Sequence, residues 1–329
     1  MKILLAGPGT GKTSRIKELI KESFSNAQSI LILSFTNATV NELKAKFSDH
    51  SNVSCFTLHS FALVLNHLPT LHILIKEEES ALRKVCMKLD LDFEVACDML
   101  RCITFDSMIL QCVSFMRTNP AYTQDKLGNL DLLIVDEFQD FNPQEQQLVL
   151  LLAKVSNQSI ILGDDDQSIY GFKDADPDGI ISLYNEPSIE RLSNENICHR
   201  CPDLVVDLAT KLIKFNKHRI QKEWKISNKP GSVIIKQFLT QAESDNYIFD
   251  CLRQIHIREP NASILLLSPV GFAVNSLRTM LTENQISFVD FWLPPIDEQT
   301  LIHIWSLNSI YGSNKLLFLL LRSNYNEIT

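Results

Sequence analysis

Positive charge is in deficit in this chain of 329 residues: 31 Lys and Arg stand against 39 Asp and Glu, a formal net charge of -8. Proteins that coat nucleic acid nonspecifically draw affinity from cations that neutralise phosphates. The net charge argues against that class and leaves a local basic groove open. Long apolar runs are missing as well. The run LLFLLL at 316–321 is far too short to span a bilayer, which takes about 20 residues. After Lys2 a glycine loop soon interrupts the apolar start, so no signal peptide is expected. The expectation is a cytoplasmic protein with reduced thiols and no membrane partner. Low-complexity segments and repeats of solenoid length are also absent.

Paired cysteines are scarce. Cys86, Cys97, Cys102 and Cys112 contain no CxxC and fall in sequence that reads as amphipathic helix. Free Cys in such sequence behaves as a small core residue, so core packing is expected rather than an iron–sulfur cluster. Cys198 and Cys201 form one CxxC with no second pair, which argues against zinc.

What is present is an alternation of short apolar runs and helical periodicity. Strands are expected at 1–6, 29–34 and 53–57, with helices at 12–23, 37–47 (Thr36 or Asn37 as N-cap) and from His59 onward. Residues 67–127 read as an all-helical insertion. The alternation resumes with strand 132–135, helix 143–154 and strand 159–162. The stretch 174–187, rich in Asp, Pro, Asn and Gly, reads as a linker. Beyond it a second unit is expected: helix 203–215, strand 232–238, helix 241–255, strand 263–267, helix 270–282 and strand 286–291. A further helix is expected at about 297–309. The fold class is α/β, a parallel sheet with helices on both faces.

Three motifs carry chemistry. AGPGTGKT at 6–13 fits a phosphate loop with Ala in the first position. Backbone N–H groups of Gly7, Pro8–Thr10, Gly11 and the following helix start can wrap phosphate oxygens, with Pro8 contributing shape only. Lys12 would reach the β- and γ-phosphates and Thr13 would bind Mg²⁺, with Ser14 beside them. Asp136 and Glu137 end the strand LLIVDE; such an acid holds Mg²⁺, and its neighbour orients an attacking water. Carboxylates at the tip of a buried strand are costly unless something positive sits there. Gln167 follows another burst, Asp164–Asp166, and its amide can sense a γ-phosphate or a water without adding charge.

SFTNATVNEL (34–43), TLHSFA (57–62), VDEFQD (135–140) and GDDDQSIYGF (163–172) resemble, in order, signatures of the UvrD/Rep/PcrA-like superfamily 1 DNA helicases. The resemblance covers about residues 1–215 firmly and 230–310 loosely. It implies two RecA-like domains with ATP between them and 3′-to-5′ translocation on single-stranded DNA. The implied organisation is a first domain at 1–180, a partial second domain at 188–295 and the start of a helical domain at 296–329. By position, Lys12 and Thr13 hold phosphate and Mg²⁺, Asp136 is the Mg²⁺ acid, Glu137 the catalytic base and Gln167 the coupling residue. Arg200 matches an arginine that reaches the γ-phosphate from the second domain. Phe35, Thr57, His59, Tyr170 and Phe172 fall where the family touches single-stranded DNA, Phe172 replacing a stacking Trp.

Departures from the family pattern are also legible. His199 stands before Arg200 where Tyr is usual, so a smaller ring would stack on adenine. Ser14 separates Thr13 from Arg15, which usually adjoin. The family's adenine-reading segment upstream of the phosphate loop and its HxAKGLEF- and TRA-type motifs have no counterpart in 1–329. The expectation is therefore firm MgATP binding, slow hydrolysis, and unwinding only with a protein partner that supplies the missing motifs. The alternative is an ATP- and DNA-binding regulatory subunit or a truncated relic. A phosphate-loop kinase has no place for GDDDQSIYGF.

Overall fold

The computed structural model describes residues 1–65, 71–128 and 130–289. The apolar runs read above form strands wherever neighbours flank them on a sheet. The first half contains β1 (Lys2–Leu5), α1 (Lys12–Ser23), β2 (Ile30–Ser34), α2 (Asn37–Lys46), β3 (Val53–Thr57) and α3 (Leu58–Leu65). The insertion follows as β4 (His72–Ile73), α4 (Lys76–Leu89), α5 (Phe93–Leu100), β5 (Cys102–Ile103), α6 (Phe105–Thr118) and α7 (Pro120–Leu127). Then come β6 (Leu132–Val135), α8 (Pro143–Val155), β7 (Gln158–Gly163), α9 (Pro177–Asn185), β8 (Glu190–Leu192) and α10 (Asp203–Ile213). The last described helices are α11 (Gln241–Arg258) and α12 (Asn275–Glu283).

Six strands form one sheet in the order β3-β2-β6-β7-β1-β8. Every pairing in it is parallel, for example Ile3 with Ile161 and Ile32 with Ile134. Alternate residues feed two cores. Ile3, Leu33, Val135 and Ile161 face α3, α6, α8 and α9. Leu4, Ile32, Ile134 and Leu162 face α1 and α2. Both faces are covered, as a parallel sheet requires. Because β6, β7 and β1 are neighbours, their C-terminal tips lie side by side. Ligands of open α/β sheets bind outside those tips.

The insertion differs from an all-helical reading: β4 and β5 form a short parallel pair within it. Cys102 thus lies on a strand, in a small core with Leu74, Leu82, Cys86, Ala96 and Cys97. The expected linker 174–187 is likewise corrected. Asp176 caps α9 by accepting from the Asp178 N–H, Pro177 occupies the first turn, and Ile180 is fully buried. Asp followed by Pro is a helix-start signal, here hidden by turn-prone composition. β8, absent from the sequence reading, adds to the sheet edge beside β1.

Contacts divide the chain between Ser232 and Val233. The expected strands 232–238 and 263–267 are not formed, nor is any strand at 286–289. Ile234, Ile235, Leu265 and Leu267 are exposed. An apolar run becomes a strand only when another edge completes its backbone hydrogen bonds, and these segments pair with nothing among the described residues. Helices α11 and α12 form near the expected positions, α12 after a short 3₁₀ turn at Gly271–Val274. The expected helix at 297–309, and the whole of 296–329, lie outside the described residues.

Candidate functional site

The phosphate loop is held open by backbone that only glycine adopts easily. Gly9 and Gly11 have φ of 68° and 80°. Gly11 is also the N-cap of α1, with no side-chain cap and no acid in the first turn. The N–H groups and positive end of the helix dipole are therefore directed to whatever anion binds there. Thr10 does not project outward; its hydroxyl donates to the Gly7 carbonyl at 2.9 Å.

Across the loop, Asp136 is buried at the tip of β6, and its backbone N–H donates to Leu33 O at 2.8 Å. Glu137 adopts a left-handed conformation with φ 56°. Such a conformation is strained for a non-glycine side chain. It turns the carboxylate onto the ammonium of Lys12, with which it forms an ion pair. Gln139 links this tip to the next: its Nε2 donates to Glu137 Oε2 at 3.0 Å, while its Oε1 accepts from the Asp164 N–H at 3.0 Å. Burial and then the charge of Glu137 push the Asp136 carboxyl up to about 6. The same two causes push Asp140 up to about 7, and Asp140 Oδ1 is buried with no hydrogen-bond partner. Negative charge is thus in excess at this tip, and this donor set of hard carboxylate and hydroxyl oxygens fits a divalent cation such as Mg²⁺.

The second acidic burst is different. Asp164, Asp165 and Asp166 have carboxylate oxygens within 4.8 Å of one another, as a metal site would. Their compensating charge, however, is the chain's own. Lys222 Nζ lies 2.9 Å from Asp164 Oδ1 and 2.9 Å from Asp166 Oδ2, and it also pairs with Asp165. Arg219 grips Asp166 with two hydrogen bonds of 2.7 and 2.6 Å. Burial opposes the Asp166 carboxylate, but these cations outweigh it and hold its pKa below the ordinary value. Gln167 Nε2 donates to Asp164 Oδ2 at 2.6 Å.

A cavity of about 440 Å³ gathers the expected residues: Gly7, Pro8, Gly9, Gly11, Lys12, Thr13 and Ser14 on one side, Asp136, Glu137 and Gln167 on another. His199 and Arg200 also line it. The His199 N–H donates to Gly9 O at 2.9 Å, and Asn194 Nδ2 reaches Thr10 Oγ1 at 3.3 Å. A Cβ at Gly9 would collide with Arg200, and one at Gly7 would collide with the Trp224 ring. Sequence reasoning missed Thr39, Glu42 and Lys46 in the lining, and Gln139, Arg219, Lys222 and Trp224 behind it. The last three lie in a stretch, RIQKEW, with no periodic or motif signal of its own.

The aromatic residues form a separate row. Ring centroids of Phe35 and Tyr170 are 5.1 Å apart, those of Tyr170 and Phe172 5.9 Å, and Phe172 is 77 % exposed. Lys173 Nζ lies 5.7 Å from the Phe35 ring and 5.4 Å from the Tyr170 ring. His59 stacks edge-on to Phe105 and lies 3.4 Å from Glu145. Thr57 is buried instead: its hydroxyl accepts from the Ser60 N–H and starts α3. The cysteines expected in the core are buried and free, as is Cys198; Cys201 is half-buried. Among the described residues no helix is long and apolar enough to cross a membrane.

The family description "UvrD/REP helicase N-terminal domain" matches residues 2–70 and 66–188. The chain is 24% identical over 322 residues to ATP-dependent DNA helicase Rep of Buchnera aphidicola subsp. Schizaphis graminum, covering 77% of this chain and 49% of that protein. It is 24% identical over 312 residues to DNA helicase II of Haemophilus influenzae, covering 75% and 43%. A third similarity, 30% over 132 residues, is to DNA helicase II of Escherichia coli and covers 40% and 18%. The chain spans about half the length, or less, of the curated relatives it matches.

Proposed function

The chain belongs to the UvrD/REP helicase N-terminal domain family, and from that premise we propose that it binds and hydrolyses MgATP and uses the energy to move 3′-to-5′ on single-stranded DNA. The observation that carries the reading is the convergence of Lys12, Thr13, Asp136, Glu137, Gln167 and Arg200 on one cavity. The curated relatives are ATP-dependent DNA helicases by name, which supports the same reaction class.

In this reading Lys12 exchanges Glu137 for the β- and γ-phosphates. That exchange frees the Glu137 carboxylate to take a proton from a water aligned with the γ-phosphorus. The water oxygen bonds to phosphorus as the bond to the ADP oxygen breaks, and the proton passes to Glu137. Arg200 meets the charge that spreads over the γ-oxygens. Thr13 and Asp136 would hold Mg²⁺, which when bound neutralises phosphate charge. The buried carboxylates of Asp136 and Asp140, the latter with an Oδ1 that meets no hydrogen-bond partner among the described residues, support that assignment. His199 would face the adenine. Phe35, Tyr170 and Phe172 would offer faces to bases, with His59 nearby and Thr57 supporting α3 from beneath. We keep the division into a first RecA-like domain at 1–180 and a second at 188–295 as part of this proposal. Arg200 then belongs to the second domain, although its segment packs with 1–232.

The test is ATP turnover with and without single-stranded DNA, in wild type and Glu137→Gln. We expect DNA to stimulate the wild type, and the variant to bind ATP while losing about 10²–10⁴-fold in rate, the range of general-base catalysis. Equal rates in both proteins with no DNA stimulation would overturn the reading.

A further inference from the structure

We propose that Lys222 is a positioning residue for γ-phosphate recognition, acting through Asp164 on Gln167. The proposal rests on the nucleotide-binding reading above and adds a residue outside the cavity lining.

Asp164 is fully buried and each of its two oxygens is committed. Oδ1 meets Lys222 Nζ at 2.9 Å, and Oδ2 accepts from Gln167 Nε2 at 2.6 Å. Its backbone N–H is fixed by Gln139, which also holds Glu137. One N–H of the Gln167 amide is thus anchored, which leaves its second N–H to donate to a phosphate oxygen and its carbonyl oxygen to accept from a water. Its angle follows wherever Asp164 points. Asp164 in turn is aimed by a lysine whose side chain is only 5% exposed.

Charge makes the arrangement all or none. Three adjacent carboxylates cannot stay ionised in a buried cluster without cations. Among the described residues, Lys222 is the one cation that pairs with all three. Arg219 serves Asp166 alone by hydrogen bonds, and the Ile220 N–H caps Asp165 at 2.8 Å. Burial disfavours the ammonium of Lys222, but the surrounding carboxylates prevail and hold its pKa above the ordinary value. Removing that charge leaves Asp164 facing Asp165 and Asp166 with no counter-charge of its own. Asp164 then turns away from its neighbours, and Gln167 loses its anchor. The segment carrying Lys222 also places Trp224 against Gly7. Movement of 219–225 would therefore be felt at both the sensor glutamine and the phosphate loop.

The experiment compares affinities of the full chain for MgADP and MgATPγS, with no DNA and no turnover. Variants are Lys222→Met, Asp164→Asn, Gln167→Ala and the double variant Lys222→Met/Gln167→Ala. We expect Lys222→Met and Gln167→Ala each to lower the preference for MgATPγS by about tenfold or more, the scale of a misplaced positioning group. MgADP affinity should change far less. The double variant should discriminate as Gln167→Ala does, because both remove one device. Multiplying losses in the double variant would overturn the relay, as would equal falls in MgADP and MgATPγS affinity. Should Lys222→Met fail to give a cooperative melt, Asp164→Asn combined with Gln167→Ala decides by the same rule. A protein that keeps the discrimination pattern but shows no DNA-stimulated turnover would overturn the helicase reading and leave the relay standing. A wild type that binds neither nucleotide would overturn both.

Discussion

Buried titratable residues decide how single positions respond to pH. Burial, helped by Lys173, lowers His59 to about 4, so His59 is neutral in the folded protein near pH 7 and its contact with Glu145 is not an ion pair there. Burial raises Glu145 from 4.5 to about 7. The folded state therefore holds a proton on Glu145 that the unfolded state releases near 4.5. Its contribution to stability is present below pH 4.5 and is lost as pH rises through 7. His59 has the opposite slope: its contribution is present above 6.5 and is lost as pH falls toward 4. Glu145→Gln should raise the thermal midpoint relative to wild type at pH 8, with the difference vanishing near pH 4.5; a pH-independent difference would contradict this. At the aromatic row, Phe172→Ala should weaken single-stranded DNA binding by about 1–3 kcal/mol, the usual worth of one stacked base. A fluorescence titration with an oligonucleotide at fixed salt measures it.

Helix α9 shows how an element can be hidden in its own composition. Residues 174–187 carry the Asp, Pro, Asn and Gly of a linker, yet Asp176 and Pro177 start a helix and Ile180 is fully buried. Side chains in a linker cost almost nothing to remove. A core isoleucine replaced by alanine costs about 2–5 kcal/mol, so urea denaturation of Ile180→Ala should show a loss in that range. The segments 232–238 and 263–267 show the converse. Their residues favour extended backbone, but pairing depends on a neighbouring edge that local sequence does not supply. The strands read correctly, from β1 to β3 and at β6 and β7, are those with apolar residues on both faces. Apolar residues on both faces leave a signature in sequence, whereas β8 is only three residues long at an edge and leaves none.

For the whole molecule, the cavity lies within 1–232, and ligand binding there should stabilise that unit by mass action. With MgADP at a hundredfold excess over its dissociation constant the gain is about 2.7 kcal/mol. Calorimetry should show an upward shift of the thermal midpoint, and Lys12→Ala should abolish it. A shift that survives Lys12→Ala would place nucleotide elsewhere.

Local chemistry was enough to read the phosphate loop, the acids ending β6 and the glutamine after β7 from the chain alone. Glycine conformation, strand tips and helix starts leave their mark within a few neighbouring residues. Their convergence depended on the strand order, which places β6, β7 and β1 side by side. What neutralises Asp164–Asp166 was decided only by the tertiary fold. Lys222 and Arg219, more than fifty residues away, supply the positive charge. Buried charge requires a partner, and local sequence shows the requirement without showing which distant residue meets it.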